Sequence, residues 1–538
     1  MRTQFPSTCC KINMTSAEEQ SEDSLISKLA GSIGYQIPKE DIPEYAELLS
    51  KTRQNFSLVA SLDGYQPLPN LDLTPREHIH FPPPSDNPLN AWAWKLHCQH
   101  RHPKTRKLAG KTFCAKDNIA MAGVPCLLGT ETFTGWTPHT DATVLTRVLE
   151  HGGTIVGKAV CENLSRGAVS ATAATGPVHN PYAPGYSAGG SSSGTAALVA
   201  SGAVDLGIGC DQGGSIRIPA ALCGLWGMKA TLGLVPYTGI ASNDASVDFV
   251  GPMTRSGVDC ALLLEVLAGA DGLDDRQMAG TPFPDAVPGY AAHLDSTRRE
   301  GVKGMRIGVV KEGMHPSIIN AGVKAKFDAA VLRFKKLGAV VEEVSVPMQD
   351  QARAIYSVWS KMGNHQGMIG RATGRRQVML TDLYERKDLP YSQEALSKFS
   401  AFAMEGMLSG ELGWQDYPLA YPKAINLGRK LKDAYDEVLA EFDLLVMPTV
   451  LTPADPLPAV DATPREHMAK GAGKLENTGP FNMTGHPALA FPIGLVESPA
   501  DPQIKVPASM QVVGRFWSEA KILQAAYAWE QATDWKTF

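Results

Sequence analysis

From Leu108 onward, short apolar runs alternate with amphipathic stretches. KTFCAKDNIA reads as a strand running into a turn, ATVLTRVLEHG as a helix stopped at glycine, and TIVGKAV as a strand. GTAALVASGAV follows as a helix of small residues and VDLGIGCD as another buried strand. Further on, MRIGVVKEG, VKAKFDAAVLRFKKLGA and VVEEVSV repeat strand–helix–strand, and FDLLVMPTV returns to a buried strand. This alternation predicts an α/β fold: a large mixed, mostly parallel twisted sheet covered by helices. Upstream, residues 15–62 read as helical, with EDIPEYAELLSKTRQNF placing apolar residues at near-helical spacing. A proline-rich connector follows, with Pro67, Pro69, Pro75 and Pro82-Pro83-Pro84, and cannot hold a helix. The expected organisation is a leader, helical region and connector over 1–85, then a main domain over 86–538. The mixed, helical stretch Met348–Leu431 predicts a smaller subdomain inserted at about 315–432. The first twenty residues read as a short leader without the apolar core of a secretory signal.

Composition narrows the function. A hydrophobic fraction of 43% and a charged fraction of 20% over 538 residues describe a globular chain. Fifty Lys+Arg against 55 Asp+Glu give a net charge of -5, which offers no electrostatic footprint for nucleic acid or an anionic membrane. No apolar run reaches the ~20 residues of a membrane span. Nine cysteines, odd in number and without C-x-x-C spacing, argue against a disulfide framework and a structural zinc site. Cys114, Cys161, Cys210, Cys223 and Cys260 read as small buried hydrophobes. A cytoplasmic protein without metal or other cofactor is the expectation.

Three stretches imitate known sites. Gly152-Gly-Thr-Ile-Val-Gly157-Lys158-Ala159 approaches a phosphate-binding loop, but Ala159 lacks the final hydroxyl and the helix-to-strand context is reversed. Gly207-Ile-Gly209-Cys-Asp-Gln-Gly213 is one residue too long for a dinucleotide fingerprint. The basic run Lys95 to Lys107, with His97, His100 and His102, reads as solvated surface rather than a metal or nucleic-acid site.

The chemistry concentrates in two Gly/Ser-rich loops. One is Ser187-Ala-Gly189-Gly190-Ser191-Ser192-Ser193-Gly194; the other is Asp211-Gln212-Gly213-Gly214-Ser215-Ile216-Arg217-Ile218-Pro219. Glycine lets backbone N–H groups approach a ligand, so a serine after Gly213-Gly214 stands where donors converge, as an acyl-transfer oxyanion requires. A second reading takes Gly190-Ser-Ser192-Ser-Gly194 as a nucleophile elbow, with Ser192 attacking and His486 as its base. Against it, loop residues replace the apolar strand expected upstream.

These loops, with Cys114-Ala115-Lys116-Asp117-Asn118, Asp248-Phe-Val-Gly-Pro252 and Phe481-Asn482-Met-Thr484-Gly485-His486-Pro487, resemble the amidase signature family over residues 86–538. Gln212 and the N-terminal extension are similar to the branch often associated with nitrile hydratases, where the extension supports dimers. Ser193 departs from the pattern, standing where many members have glycine. The resemblance implies the amidase signature fold and a metal-independent hydrolase of small carboxamides, or of carbamates as in urethanases. It implies Ser215 as nucleophile, Ser191 after a cis peptide as proton relay, and Lys116 as base. Gln212, Gly213, Gly214 and Ser215 would supply the oxyanion hole, with Gly190, Ser192, Asp211 and Arg217 supporting the loops. Lys116 can act as a base only if buried, because a solvated lysine is protonated at neutral pH. An amidotransferase-like component that needs a partner is the further alternative; a self-sufficient homodimer or higher homo-oligomer is the expectation. The acyl pocket is expected near Trp359, Met362, Met404 and Trp414.

Overall fold

A computed structural model of the chain describes residues 22–132, 135–371, 374–387 and 389–538. The expected leader lies outside the described residues. The chain divides into two units, residues 1–65 and 66–538. In the first, helices Glu22–Ser32 and Ile42–Ser61 pack on each other, the second opened by a proline in its first turn.

The second unit is built on a twelve-stranded sheet. In chain order the strands of this unit are β1 (Arg76–His80), β2 (Trp92–Gln99), β3 (Thr112–Lys116), β4 (Thr154–Ala159), β5 (His179–Asn180), β6 (Ala183–Ser187), β7 (Leu206–Asp211) and β8 (Trp226–Lys229). They continue with β9 (Phe249–Thr254), β10 (Arg306–Val310), β11 (Val340–Val344), β12 (Leu444–Pro448), β13 (Ala488–Glu497) and β14 (Lys505–Gly514). The sheet runs β1-β2-β4-β3-β7-β9-β8-β13-β14-β12-β10-β11, and β5 and β6 form a separate hairpin.

The mixed α/β sheet is present, but it is not mostly parallel. Only β3 with β4 and β7, and β10 with β11 and β12, run parallel; the seven other neighbouring pairs are antiparallel. The strands legible from the pattern were largely those joined by helical crossovers. The antiparallel strands β9 and β13 carry internal Gly and Pro, which read locally as strand breakers. Pro492 is tolerated because it stands at a bulge in the β13–β14 register.

Side-chain parity along the strands sorts the core into two faces. In β3, Phe113 and Ala115 join the apolar cluster that includes helices Thr143–Glu150, Gly257–Leu267, Ala321–Lys336 and Glu519–Gln531. Cys114 points the other way, into the cluster of helix Ser193–Ala200. In β12, Leu444 and Val446 take the first direction, while Leu445 and Met447 face helices Gln349–Met368 and Ala420–Glu441. Lys116 continues the parity of Cys114 and so projects toward helix Ser193–Ala200. Between β11 and β12 the described residues form five helices, the three longest being Gln349–Met368, Ala401–Asp416 and Ala420–Glu441.

Candidate active site

Strands β3 and β7 are parallel neighbours, so Lys116 and Asp211, their last residues, emerge at one edge of the sheet. Both Gly/Ser loops come to that edge. The first turns into helix Ser193–Ala200, a helix of small residues buried from Ser193 to Val199. Gly190–Ser191 is a cis peptide. Lys116 Nζ donates to Ser191 Oγ at 2.7 Å, and both residues are 1% exposed.

Burial alone does not single out Lys116, because Lys158, Lys229 and Lys474 are equally enclosed. Those three are absorbed structurally. Lys158 donates to Asp117 O and Cys126 Sγ and lies 3.4 Å from the Asp117 carboxylate. Lys229 donates to the carbonyls of Ala230 and His486. Lys474 donates to the carbonyls of Thr452 and Pro453. Among the described residues Lys116 has no carboxylate partner, and its Nζ meets a hydroxyl at the edge of a cleft.

Glu162, which the sequence did not single out, holds the first loop from behind. It is fully buried and accepts the N–H groups of Val169, Ser170 and Thr172 and the Thr172 hydroxyl, while its own N–H donates to Ser191 O at 3.2 Å. Burial pushes its carboxyl up, against the pull of these donors. A Cβ on Gly190 would come within 2.7 Å of Glu162 Oε1, so the loop requires glycine there.

The second loop is set by Asp211 and Arg217, both 0% exposed in their side chains. Arg217 Nε donates to Asp211 Oδ2 and Nη2 to Oδ1, each at 3.0 Å, and the guanidinium also reaches Gln511 Oε1 at 2.8 Å and Asn482 Oδ1 at 2.7 Å. Burial pushes the Asp211 carboxyl up, but the Arg217 charge, with hydrogen bonds from Arg217 and Asn482, outweighs it and holds the group at about 2. One expected oxyanion donor changes place. Gly214 N–H donates to Asp211 Oδ1 at 2.7 Å, an Asx-type turn, and is not available to a ligand. The N–H groups of Gln212, Gly213 and Ser215 meet no protein acceptor among the described residues. The carbonyls of this loop are fixed from distant helices: Tyr356 Oη donates to Gln212 O at 3.1 Å, and Thr478 Oγ1 to Gly213 O at 2.6 Å. Gln212 Nε2 donates to Asp248 Oδ1 at 2.8 Å; burial raises the Asp248 carboxyl to about 7.

Two hollows share Ser165 and Gln212 as a common wall. A narrow cleft is lined by Lys116, Asn118, Ser191, Gln212 and Asp248, and through Tyr237, Ser242, Asn243 and Lys387 it adjoins a cavity of about 620 Å³. On the other side, Ser215 faces a cavity of about 350 Å³ with Arg166, Tyr356, Phe402 and Leu475. Ser215 is half-buried and its hydroxyl has no hydrogen-bond partner among the described residues. Of the residues expected to line an acyl pocket, only Trp414 reaches one of these hollows. Trp359 and Met362 are core residues, and Met404 packs against a separate cluster.

The elbow reading is contradicted. Ser192 Oγ donates to Cys210 O at 3.1 Å and accepts from Cys210 N. His486 engages Thr484 Oγ1 with Nδ1 at 3.0 Å and Asp436 Oδ1 with Nε2 at 2.9 Å, so neither ring nitrogen is left for a serine. The imitation sites resolve similarly: Lys158 lies in the core, and Lys104 and Lys107 pair with Glu150 and Glu265. Among the described residues no three or more His, Cys, Asp or Glu side chains gather as metal ligands, and no helix is long and apolar enough to cross a membrane.

A family model described as Amidase matches residues 87–523. An enantioselective amidase of Rhodococcus rhodochrous is 37% identical over 461 residues, covering 84% of each chain. A chain of the glutamyl-tRNA(Gln) amidotransferase of Moorella thermoacetica is 34% identical over 438 residues, 80% of this chain and 84% of that one. The structure of native peptide amidase from Stenotrophomonas maltophilia superposes with a TM-score of 0.63 at 28% identity, over 79% of this chain and 83% of that one.

Proposed function

The chain belongs to the amidase signature family, an amide-hydrolysing enzyme by that membership, and on this premise we propose that it converts carboxamides to carboxylate and ammonia through an acyl-enzyme on Ser215. The observation that carries the reading is the 2.7 Å contact between buried Lys116 and Ser191. In the proposed cycle Ser215 attacks the amide carbonyl carbon, its proton passing through Ser191 to Lys116. The N–H groups of Gln212, Gly213 and Ser215 stabilise the oxyanion. Lys116 returns the proton through Ser191 to the departing nitrogen, which leaves as ammonia rather than as an amide anion. Water then repeats the sequence on the ester, releasing carboxylate and restoring Ser215. Carbamates present the same carbonyl and leaving nitrogen and belong to the proposed substrate range.

The purified chain is expected to release ammonia from simple amides without added metal. Ser215→Ala and Lys116→Ala are each expected to lower kcat by about a thousandfold or more, the scale on which members of a catalytic unit fail singly. Near-native turnover in either variant would overturn the proposal. The glutamyl-tRNA(Gln) amidotransferase relatives, 31–34% identical, keep a partner-dependent role as the second reading. An inert purified chain that gains activity with partner proteins would favour it.

A further inference from the structure

Arg166 is a charged side chain in the Ser215 cavity that the proposed cycle does not use. It is partly buried, and among the described residues its guanidinium makes no hydrogen bond and no ion pair, in contrast to Arg217. Of the acids whose charge reaches it, Glu405 is already engaged by Lys361 Nζ and Ser409 Oγ, and Asp244 accepts from Ser246 N–H and Oγ. Around the same cavity stand Arg353, Lys361 and Glu476. Three cations therefore face two carboxylates; Lys361 is committed to Glu405, and neither Arg166 nor Arg353 has a hydrogen-bonded or ion-paired side-chain partner among the described residues.

Its position is fixed by the loop that carries it. Arg166 N–H donates to Asn163 O at 2.9 Å, closing a tight turn after Glu162. The Glu162 carboxylate gathers the N–H groups of Val169, Ser170 and Thr172 beyond it. The same Glu162 lies against Gly190 and donates its N–H to Ser191 O. The arginine is thus tied to the backbone of the serine loops and held in register with them. On the opposite side, Gly406 leaves no room between helix and guanidinium: a Cβ there would stand 3.0 Å from Nη2. A planar fork of five donors, aimed into a cavity and lacking an acceptor, matches a carboxylate.

We propose that Arg166 is the specificity-determining residue of this enzyme and that its substrates are primary amides whose acyl chain carries a carboxylate. The inference rests on Ser215 being the nucleophile, because Arg166 shares the cavity of that residue. Ammonia has no chain to carry a recognition group, so discrimination falls on the acyl side. While Ser215 engages the amide carbonyl, the guanidinium holds the distal carboxylate of the same molecule.

The test compares full-length wild type, Arg166→Gln and Arg166→Lys on the monoamides of succinic, glutaric and adipic acid. The neutral straight-chain amides of the same chain lengths serve as references, all scored by ammonia release. Wild type is expected to prefer the anionic series. Arg166→Gln is expected to lower the ratio of kcat/KM for anionic over neutral amides by about ten- to a hundredfold, mainly through KM, and Arg166→Lys to restore part of it. A merely structural arginine would lower both series together and leave the ratio unchanged, which would overturn the proposal, as would a wild-type preference for neutral amides. Calorimetric binding of the best monoamide to Ser215→Ala protein, with and without Arg166→Gln, separates the two readings. Loss of binding only with Arg166→Gln supports the anion site even if Ser215→Ala still turns over, which would refute the nucleophile alone. Equal binding to both proteins refutes the anion site.

Discussion

Replacing Arg217 by methionine isolates the brace beneath the second loop. The substitution keeps the volume of the side-chain stem and leaves the Asp211 carboxylate in the core with only N–H donors. The Asp211 carboxyl sits at about 2 against an ordinary 3.8, a difference on the order of 2 kcal/mol of stability. Arg217 also satisfies Gln511 Oε1 and Asn482 Oδ1, and leaving these buried acceptors unpaired adds about 1 kcal/mol each. The expected loss is about 3–5 kcal/mol, the range for breaking one side of a buried ion pair. Urea unfolding at pH 7, followed by tryptophan fluorescence, measures it. The sign with pH follows from a depressed carboxyl: the native contribution is fully present above the unfolded value near 3.8 and is lost as pH falls through about 2. The deficit of Arg217→Met is therefore largest at neutral pH and narrows as pH falls from about 4 toward 2. In a cycle with Asp211→Asn, the double variant should lose less than the two single losses combined, by about 2 kcal/mol. A loss under about 1 kcal/mol, or simple additivity, would refute the reasoning.

Other outcomes follow from the same geometry. Gly190→Ala places a methyl 2.7 Å from Glu162 Oε1 in a fully packed site, so turnover is expected to fall at least tenfold and unfolding to shift by about 1–3 kcal/mol; steady-state kinetics and thermal unfolding check both. Ser192→Ala is expected to retain turnover within an order of magnitude. His486→Ala is expected to lower stability by about 1–3 kcal/mol through loss of its bonds to Thr484 and Asp436, without abolishing ammonia release. A dead His486→Ala enzyme with native stability would restore the elbow mechanism.

What could be read from the chain depended on sequence locality. Lys116, Ser191 and Ser215 lie in short motifs whose glycines and hydroxyls announce themselves, and the helix-linked strands around them show their periods directly. The antiparallel strands were hidden because Pro252 and Pro492 mimic loop residues while sitting in paired strands. The supports were hidden for a different reason. Tyr356, Thr478 and Gln511 reach the second loop from 140 or more residues away, and nothing in their local sequence marks them. Glu162 lies 29 residues before Ser191, and only the fold turns it behind Gly190. Gly214 is expected among the oxyanion donors, and the folded loop instead turns its N–H onto the Asp211 carboxylate.

Intact-mass and peptide analysis after reaction with an acylating inhibitor tests the proposed chemistry most directly. The account predicts one adduct per chain, carried by Ser215, absent in Ser215→Ala and formed far more slowly in Lys116→Ala. An adduct on Ser192, or one that persists at wild-type rate without Ser215 or Lys116, would contradict it.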